Sequence, residues 1–113
     1  MKECVFVTNS FVVVFSKNQC HKCRATVKKF VAAGITPYVI NIDEEQLDPE
    51  VQYVVNALYD GVNPREYVLD RAGEMGQSSM PYVEVFRPDV DKVSWFDFRD
   101  ENIKSVIQDM TEE

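Results

Sequence analysis

The feature that most constrains the fold is a pair of cysteines, Cys20 and Cys23, set between a strand-like segment and a helix-like segment. Residues 11–16 are β-branched and aromatic, which predicts a central strand. The segment from Cys20 to the residue before Gly34 has apolar residues at helical spacing, and glycine suits a helix C-terminus. Residues 38–42 predict a second buried strand. Together these segments predict a βαβ unit with parallel strands and a right-handed crossover.

The rest of the chain predicts further helices and strands on both sides of this unit. An edge strand or extended arm is expected at residues 3–8. Downstream we expect a helix from Asp48 to Gly61, a shorter helix from Asn63 to Ala72 ended by Gly73, strands at 82–86 and 92–96, and a helix from Asp100. The order β-α-β-α-β-β-α predicts a single α/β domain of 113 residues, with a mixed central sheet flanked by helices.

The net charge, the apolar runs and the number of cysteines indicate which partners and which cell compartment to expect. The formal net charge of −7 argues against nucleic acid, because phosphate binding needs a basic surface. The longest apolar runs are too short to span a membrane, and we expect a monomer. Three cysteines without an export signal favour the cytoplasm, where a close cysteine pair is usually catalytic or metal-binding. All residues between Glu3 and Asp43 that carry charge are cationic, which predicts a positive region around the two cysteines.

The position of the cysteines predicts thiol chemistry. A thiolate in the first turn of a helix is stabilised by unpaired N–H groups and by the helix dipole. The charged side chains expected to assist are Lys17, His21, Lys22 and Arg24. A free cysteine is only about 3% thiolate at pH 7, whereas a pKa near ~7 makes about half reactive. We expect Cys20, at the exposed helix start, to be the nucleophile, and the inward-facing Cys23 to resolve the mixed disulfide.

A metal site is the main alternative interpretation of the same residues. Cys20 and Cys23 could supply two thiolates to zinc, with Cys4 and His21 completing four ligands. The sequence has no second C-x-x-C and no paired histidines, so we expect no bound metal and no cofactor. Cys4 is expected to be a small buried apolar residue, and a third redox thiol is a further alternative.

Three separated segments resemble the NrdH-redoxin family of glutaredoxin-like proteins. Residues 12–43 are similar to the family's first strand, C-x-x-C helix and second strand. The segment Met80-Pro81-Tyr82-Val83 is similar to its cis-proline segment, and residues 95–103 (WFDFRDENI) resemble its W-S-G-F-R-P stretch. The resemblance implies a thioredoxin-like fold, here with an N-terminal extension and an enlarged region before Pro81.

The resemblance also implies roles for residues outside the dithiol. Met80 and Pro81, with Pro81 cis, would bind an extended substrate segment through the Met80 backbone. Trp95, Phe98 and Arg99 would lie near the active face, although a place in the core is an alternative for the two aromatic residues. The implied reaction is reduction of a protein disulfide, such as that of ribonucleotide reductase. The implied reductant is thioredoxin reductase with NADPH.

Departures from the family leave other functions open. Phe96, Asp97 and Asp100 stand where the family has Ser, Gly and Pro, and the surplus length before Pro81 falls around residues 63–79. The chain lacks the C-P-Y-C, T-V-P and Gly-Gly features of glutathione-using glutaredoxins, which favours a protein substrate. A glutathione-dependent glutaredoxin therefore remains an alternative. So do a regulator or reductase like the Spx and arsenate-reductase group, which shares C-x-x-C-R, and a non-enzymatic zinc-binding module.

Overall fold

The βαβ unit predicted around the cysteines is present. A computed structural model describes residues 10–88 and 90–111 of the chain. Strand β1 spans Phe11–Ser16, helix α1 spans His21–Ala32 and strand β2 spans Tyr38–Asn41. The two strands are parallel, with Val13 opposite Tyr38. Helix α1 ends where predicted, because Gly34 has a φ of 86° and its N–H bonds back to the helix.

Two helices connect β2 to β3, as predicted. Helix α2 spans Pro49–Tyr59 and helix α3 spans Pro64–Met75. The prediction that Gly73 ends the second helix is wrong: the helix continues to Met75, and Gly76 caps it with a φ of 67°. Gly73 lies inside an exposed helical turn, where a glycine weakens a helix without ending it. The surplus length noted in the sequence is therefore largely a complete helix.

The sheet is mixed and has four strands. Strand β3 spans Tyr82–Phe86, strand β4 spans Val93–Phe96 and the last helix, α4, spans Asp100–Thr111. The strand order is β2-β1-β3-β4, and β3 is antiparallel to both of its neighbours. Because β1 and β3 run in opposite directions side by side, the end of β1 lies next to the beginning of β3.

The core has one apolar layer on each face of the sheet. Helices α1 and α4 cover one face and helices α2 and α3 cover the other. The first layer contains Val12, Val14, Phe30, Val83, Val85, Trp95, Ile103 and Val106. The second contains Val13, Phe15, Ile40, Val55, Tyr59, Val68, Tyr82 and Phe96. Alternate residues of β1 enter opposite layers, which explains why this strand is apolar almost throughout.

Two predictions concern residues that the structure does not describe. The strand or arm expected at 3–8 and the environment expected for Cys4 lie outside the described residues. Within residues 10–88 and 90–111, no helix has the length and apolar character needed to cross a bilayer.

Candidate active site

The two cysteines lie at the junction of β1 and α1. Cys20 has extended backbone angles and occupies the N-cap position of α1, while Cys23 lies in the first turn. The two residues form a disulfide, with Cα atoms 5.3 Å apart, within the range that allows a bridge without moving the backbone. The Cys23 N–H donates to Cys20 Sγ at 3.2 Å, so an otherwise unpaired helix-start donor already faces this sulfur.

Both sulfurs are largely covered in this disulfide form. The exposed fraction of Cys20 is 6% and that of Cys23 is 3%. The prediction that Cys20 is the exposed member of the pair is therefore wrong for this state. The reason is its N-cap position, which turns the side chain back over the first helical turn rather than outward. A partner must approach the sulfur closely from one side.

Polar side chains at the ends of β1 and β2 fix the loop that precedes Cys20. The Asn18 N–H donates to Asp43 Oδ2 at 2.9 Å, and the Asn18 side-chain oxygen accepts from Asn41 Nδ2 at 2.9 Å. Arg65 of α3 pairs with Asp43 Oδ1 at 2.5 Å. The Asn18 N–H and the Arg65 guanidinium hold the pKa of Asp43 below its usual value. The sequence analysis missed these residues, although polar groups after two adjacent parallel strands are a recognisable signal.

The residues expected to tune the thiolate are mostly paired with one another or with acids. Arg24 Nη2 lies 2.8 Å from His21 Nδ1 and donates to it. Lys22 Nζ forms an ion pair with Asp97 Oδ1 at 2.9 Å. Lys17 is exposed and contributes to the electrostatic environment of Asp43.

This pairing changes the expected charge around the dithiol. Three of the five cations in the positive region have an acidic neighbour: Lys17 with Asp43, Lys22 with Asp97, and Lys29 with Asp100. Asp100, which begins α4, also pairs with Lys104. These acids come from distant parts of the sequence, so their effect was invisible to the count of charges between Glu3 and Asp43. The positive charge around the dithiol is therefore smaller than the count of cations between Glu3 and Asp43 predicts.

The segment before β3 carries the predicted cis proline. The Met80–Pro81 peptide bond is cis, Pro81 is buried and Met80 is half-buried. The Pro81 carbonyl accepts from the Asp97 N–H at 2.8 Å, which joins this segment to the β4–α4 loop. Within the described part of the chain, nothing forms a hydrogen bond with the backbone N–H or C=O of Met80. These two groups are available to another chain.

The aromatic residues of the β4–α4 stretch divide between the core and the surface. Trp95 is 3% exposed and lies in the core layer beneath α1 and α4, so its expected place on the substrate surface is corrected to the core. Phe98 is half-buried against the same layer. Arg99 is exposed; its Nε donates to the Phe96 carbonyl at 2.9 Å and its Nη2 to Gln77 Oε1 at 3.3 Å. Arg99 therefore connects the loop after β4 to the loop after α3.

A buried carboxylate on β3 was also missed by the sequence analysis. The Glu84 side chain is fully buried and accepts hydrogen bonds from the hydroxyl groups of Tyr59 at 2.6 Å, Tyr67 at 2.5 Å and Tyr82 at 2.6 Å. Lys92 Nζ lies 3.2 Å from Glu84 Oε2. Burial alone would raise the pKa of Glu84, but these donors hold it below its usual value. This glutamate–tyrosine cluster (Tyr59, Tyr67, Tyr82, Glu84) ties α2 and α3 to the strand that follows Pro81.

The described residues do not form a metal site of the kind considered above. Between residues 10 and 111, with Asp89 left out, no three His, Cys, Asp or Glu side chains are grouped so that they could hold a metal ion. Cys4, one of the zinc ligands considered, lies outside the described residues. The dithiol as described is suited to exchange of a disulfide bond.

Comparison with known proteins agrees with this chemistry. The sequence profile of the glutaredoxin family matches residues 12–85, which is more than half of the chain. A search of curated protein sequences gave no significant match.

The NrdH-redoxin of Escherichia coli, described as a glutaredoxin-like protein with a thioredoxin-like activity profile, is 19% identical. The alignment covers 84% of this chain and 92% of that one, with a TM-score of 0.50. A glutaredoxin from Archaeoglobus fulgidus is also 19% identical, over 92% of both chains, with a TM-score of 0.54. A chloroplastic thioredoxin z is 14% identical, over 99% of this chain and 91% of that one, with a TM-score of 0.52. At these identities the likeness establishes the thioredoxin-like fold.

Proposed function

The chain belongs to the glutaredoxin family and is a thiol–disulfide oxidoreductase, and from this premise we propose that its substrate is a disulfide in another protein. The observation that carries the proposal is the position of Cys20. Its sulfur occupies the N-cap of α1, receives the Cys23 N–H, and is within bonding reach of a second sulfur. A thiolate at this position is stabilised by the unpaired N–H groups and the dipole at the helix start. When it attacks a disulfide, its negative charge passes to the leaving sulfur.

The proposed reaction is dithiol–disulfide exchange in two steps. The Cys20 thiolate attacks one sulfur of the partner disulfide, and the other partner sulfur leaves as a thiolate that takes up a proton. Cys23 then loses its proton and attacks Cys20 Sγ in the mixed disulfide, which releases the second partner thiol. The partner gains two electrons and two protons, and the Cys20–Cys23 dithiol becomes a disulfide. A separate reductant restores the dithiol.

Met80 is proposed to hold the partner next to Cys20. Its backbone N–H and C=O form no hydrogen bond with the described part of the chain. Met80 lies just before β3, at the end of the sheet where β1 leads to Cys20. An extended partner segment can pair with these two groups as an added strand does. Phe15, near the end of β1, lies opposite Tyr82 at the start of β3, so the segment that contains Met80 and the loop that leads to Cys20 lie at the same end of the sheet.

Several residues favour a protein over glutathione as the substrate. The residues between the cysteines are His21 and Lys22, and Ser79 and Met80 precede Pro81. The chain has no glycine after Gly76, so it lacks the Gly-Gly pair that glutathione-using glutaredoxins carry after the fourth strand. These differences favour a protein disulfide over a small γ-glutamyl tripeptide as the substrate.

Ribonucleotide reductase is the proposed partner, and thioredoxin reductase with NADPH is the proposed reductant. This assignment is supported by the similarity of residues 12–43, 80–83 and 95–103 to the NrdH-redoxin family, and it rests on no contact seen here. We further propose that the chain acts as a monomer in the cytoplasm, because three cysteines with a close redox pair suit a reducing compartment.

The test is NADPH oxidation with insulin as the disulfide substrate, coupled either to thioredoxin reductase or to glutathione with glutathione reductase. We expect turnover in the first system and little in the second. The Cys20→Ser variant should be inactive, and the Cys23→Ser variant should accumulate a mixed disulfide through Cys20. Turnover with glutathione alone would move the chain to the glutathione-dependent group. Stoichiometric zinc without reductase activity would overturn the proposal.

A further inference from the structure

Asp97, in the β4–α4 loop, contacts the two other segments that surround the dithiol, the first turn of α1 and the segment before β3. Its φ is 82°, a backbone conformation that favours glycine, and its N–H donates to the Pro81 carbonyl at 2.8 Å. Its Oδ1 accepts from the Phe98 N–H at 2.8 Å and from Lys22 Nζ at 2.9 Å. One residue of the β4–α4 loop thus contacts both the segment before β3 and the first turn of α1.

Lys22 is the residue immediately before Cys23, so it belongs to the turn that presents the dithiol. An ammonium group in this turn can stabilise a thiolate at the N-cap by its positive charge. In the ion pair with Asp97 this charge is opposed by a carboxylate, and the lysine side chain is drawn toward the β4–α4 loop. The ion pair therefore restricts the positions that the Lys22 ammonium can adopt.

The other charged groups around the dithiol have partners of their own. His21 and Arg24 of α1 contact each other, and Asp43 contacts Arg65 and is near Lys17. Arg99 contacts Gln77. None of these contacts involves Lys22. The ion pair with Lys22, helped by Arg99, holds the pKa of Asp97 below its usual value. Among the described residues, Asp97 is the acid that pairs with Lys22.

We propose that Asp97 is a positioning residue that holds the Lys22 ammonium in an ion pair at the β4–α4 loop and so limits how readily the dithiol ionises. The inference rests on the proposed role of Cys20 as nucleophile. A second consequence follows for the equilibrium in which the protein disulfide and two glutathione thiols give the protein dithiol and glutathione disulfide. Releasing Lys22 stabilises the Cys20 thiolate, which belongs to the reduced form, so the equilibrium moves toward the dithiol.

The test compares thiol ionisation in matched variants. Absorbance of the thiolate at 240 nm is followed against pH in a background that carries Cys4→Ser and Cys23→Ser, where Cys20 is the remaining cysteine. Asn is chosen to replace Asp97 because it tolerates positive φ and can still accept from the Phe98 N–H. We expect Asp97→Asn to lower the ionisation midpoint of Cys20 by a few tenths of a pH unit, as for one partly solvated charge pair.

A double-mutant cycle with Lys22→Gln separates positioning from simple charge. If Asp97 acts by holding Lys22, the shift caused by Asp97→Asn is larger with Lys22 present than in the Lys22→Gln background. Asp100→Asn, which removes an acid paired with Lys29 and Lys104, should leave the midpoint unchanged. Equal shifts in both backgrounds, or no shift, would overturn the proposal.

The glutathione equilibrium gives a second readout in the chain with both cysteines. We expect Asp97→Asn to favour the dithiol by roughly twofold, the factor that corresponds to a few tenths of a pH unit. A change in thermal unfolding without either effect would reduce Asp97 to a structural residue and overturn the inference. Failure of the wild-type chain to reduce insulin would instead overturn the proposed function, and the titration does not depend on turnover.

Discussion

Replacing Glu84 with glutamine tests whether the buried carboxylate stabilises the fold as an anion. Glutamine has nearly the same shape as glutamate, so the packing around the residue is retained. The substitution removes the negative charge and converts one acceptor oxygen into a donor NH₂ group. Three tyrosine hydroxyls and Lys92 then lose an ionised acceptor, the fully buried Glu84 carboxylate.

The expected loss follows from the number and type of these contacts. A hydrogen bond to a charged group contributes about 1.5–3 kcal/mol and a neutral one about 0.5–1.5 kcal/mol, so each tyrosine contact loses about 1 kcal/mol. The loss of the Lys92 contact adds little because the lysine is partly exposed. Relief from burying a charge opposes these terms. We expect Glu84→Gln to lower the free energy of unfolding by about 2–3 kcal/mol at pH 7.

The effect should depend on pH in a defined direction. The pKa of Glu84 is lower in the folded protein than in the unfolded chain, where it is about 4.3. A depressed pKa contributes stability that is present above the unfolded value and is lost as the pH falls through the folded value. The difference in the free energy of unfolding between wild type and Glu84→Gln should therefore be largest at neutral pH and should shrink in acid below about pH 4.3.

Urea unfolding followed by the fluorescence of Trp95 provides the assay, because this is the only tryptophan of the chain and it is buried in the core. Measurements at several values between pH 7 and pH 3 give the free-energy difference directly. Glu74→Gln is the matched control, since Glu74 is exposed on α3 and pairs with Arg71 at the surface. An unchanged stability at neutral pH, or a loss that persists undiminished at pH 3, would refute the reasoning.

Two further predictions concern the ends of α3. The Asn63 side chain accepts from the Glu66 N–H at 3.1 Å, so Asn63→Ala should reduce the free energy of unfolding in urea by about 1 kcal/mol, whereas Asn63→Ser should largely retain it. Gly76 and Gly73 should respond in opposite directions to alanine. Gly76→Ala should destabilise by about 1–2 kcal/mol because of the φ of 67°, and Gly73→Ala, in an open helical position, should stabilise by about 0.5–1 kcal/mol. If both alanine variants changed the free energy of unfolding in the same direction, the assignment of Gly76 as the C-terminal cap of α3 would be contradicted.

Local sequence patterns were sufficient for most of the fold. The β-branched run of β1, the helical spacing after Cys20 and the Gly34 cap each depend on residues close together in the chain, and all three predictions are confirmed. The boundary of α3 was harder because two glycines lie three residues apart. Only the backbone distinguishes Gly76, which has a positive φ, from Gly73, which is helical.

Contacts between distant residues were not predictable in the same way. Glu84 lies 25 residues from Tyr59, and its pattern within β3 does not reveal that three hydroxyl groups converge on it. The pairing of Lys22 with Asp97 joins residues at opposite ends of the chain, so a local count of charges overstated the positive field near the dithiol. The exposure of Cys20 also depended on how the N-cap side chain turns, which the motif alone does not specify.

The antiparallel placement of β3 beside β1 has a consequence for how such a chain can be altered. Cys20 follows β1 and Pro81 precedes β3, and these strands are neighbours, with Phe15 opposite Tyr82. The meeting of the two segments is thus determined inside the sheet and not by the length of chain that connects them. Insertions or exchanged segments at the exposed turn around Glu45, between β2 and α2, should be accommodated without moving the reactive sulfur.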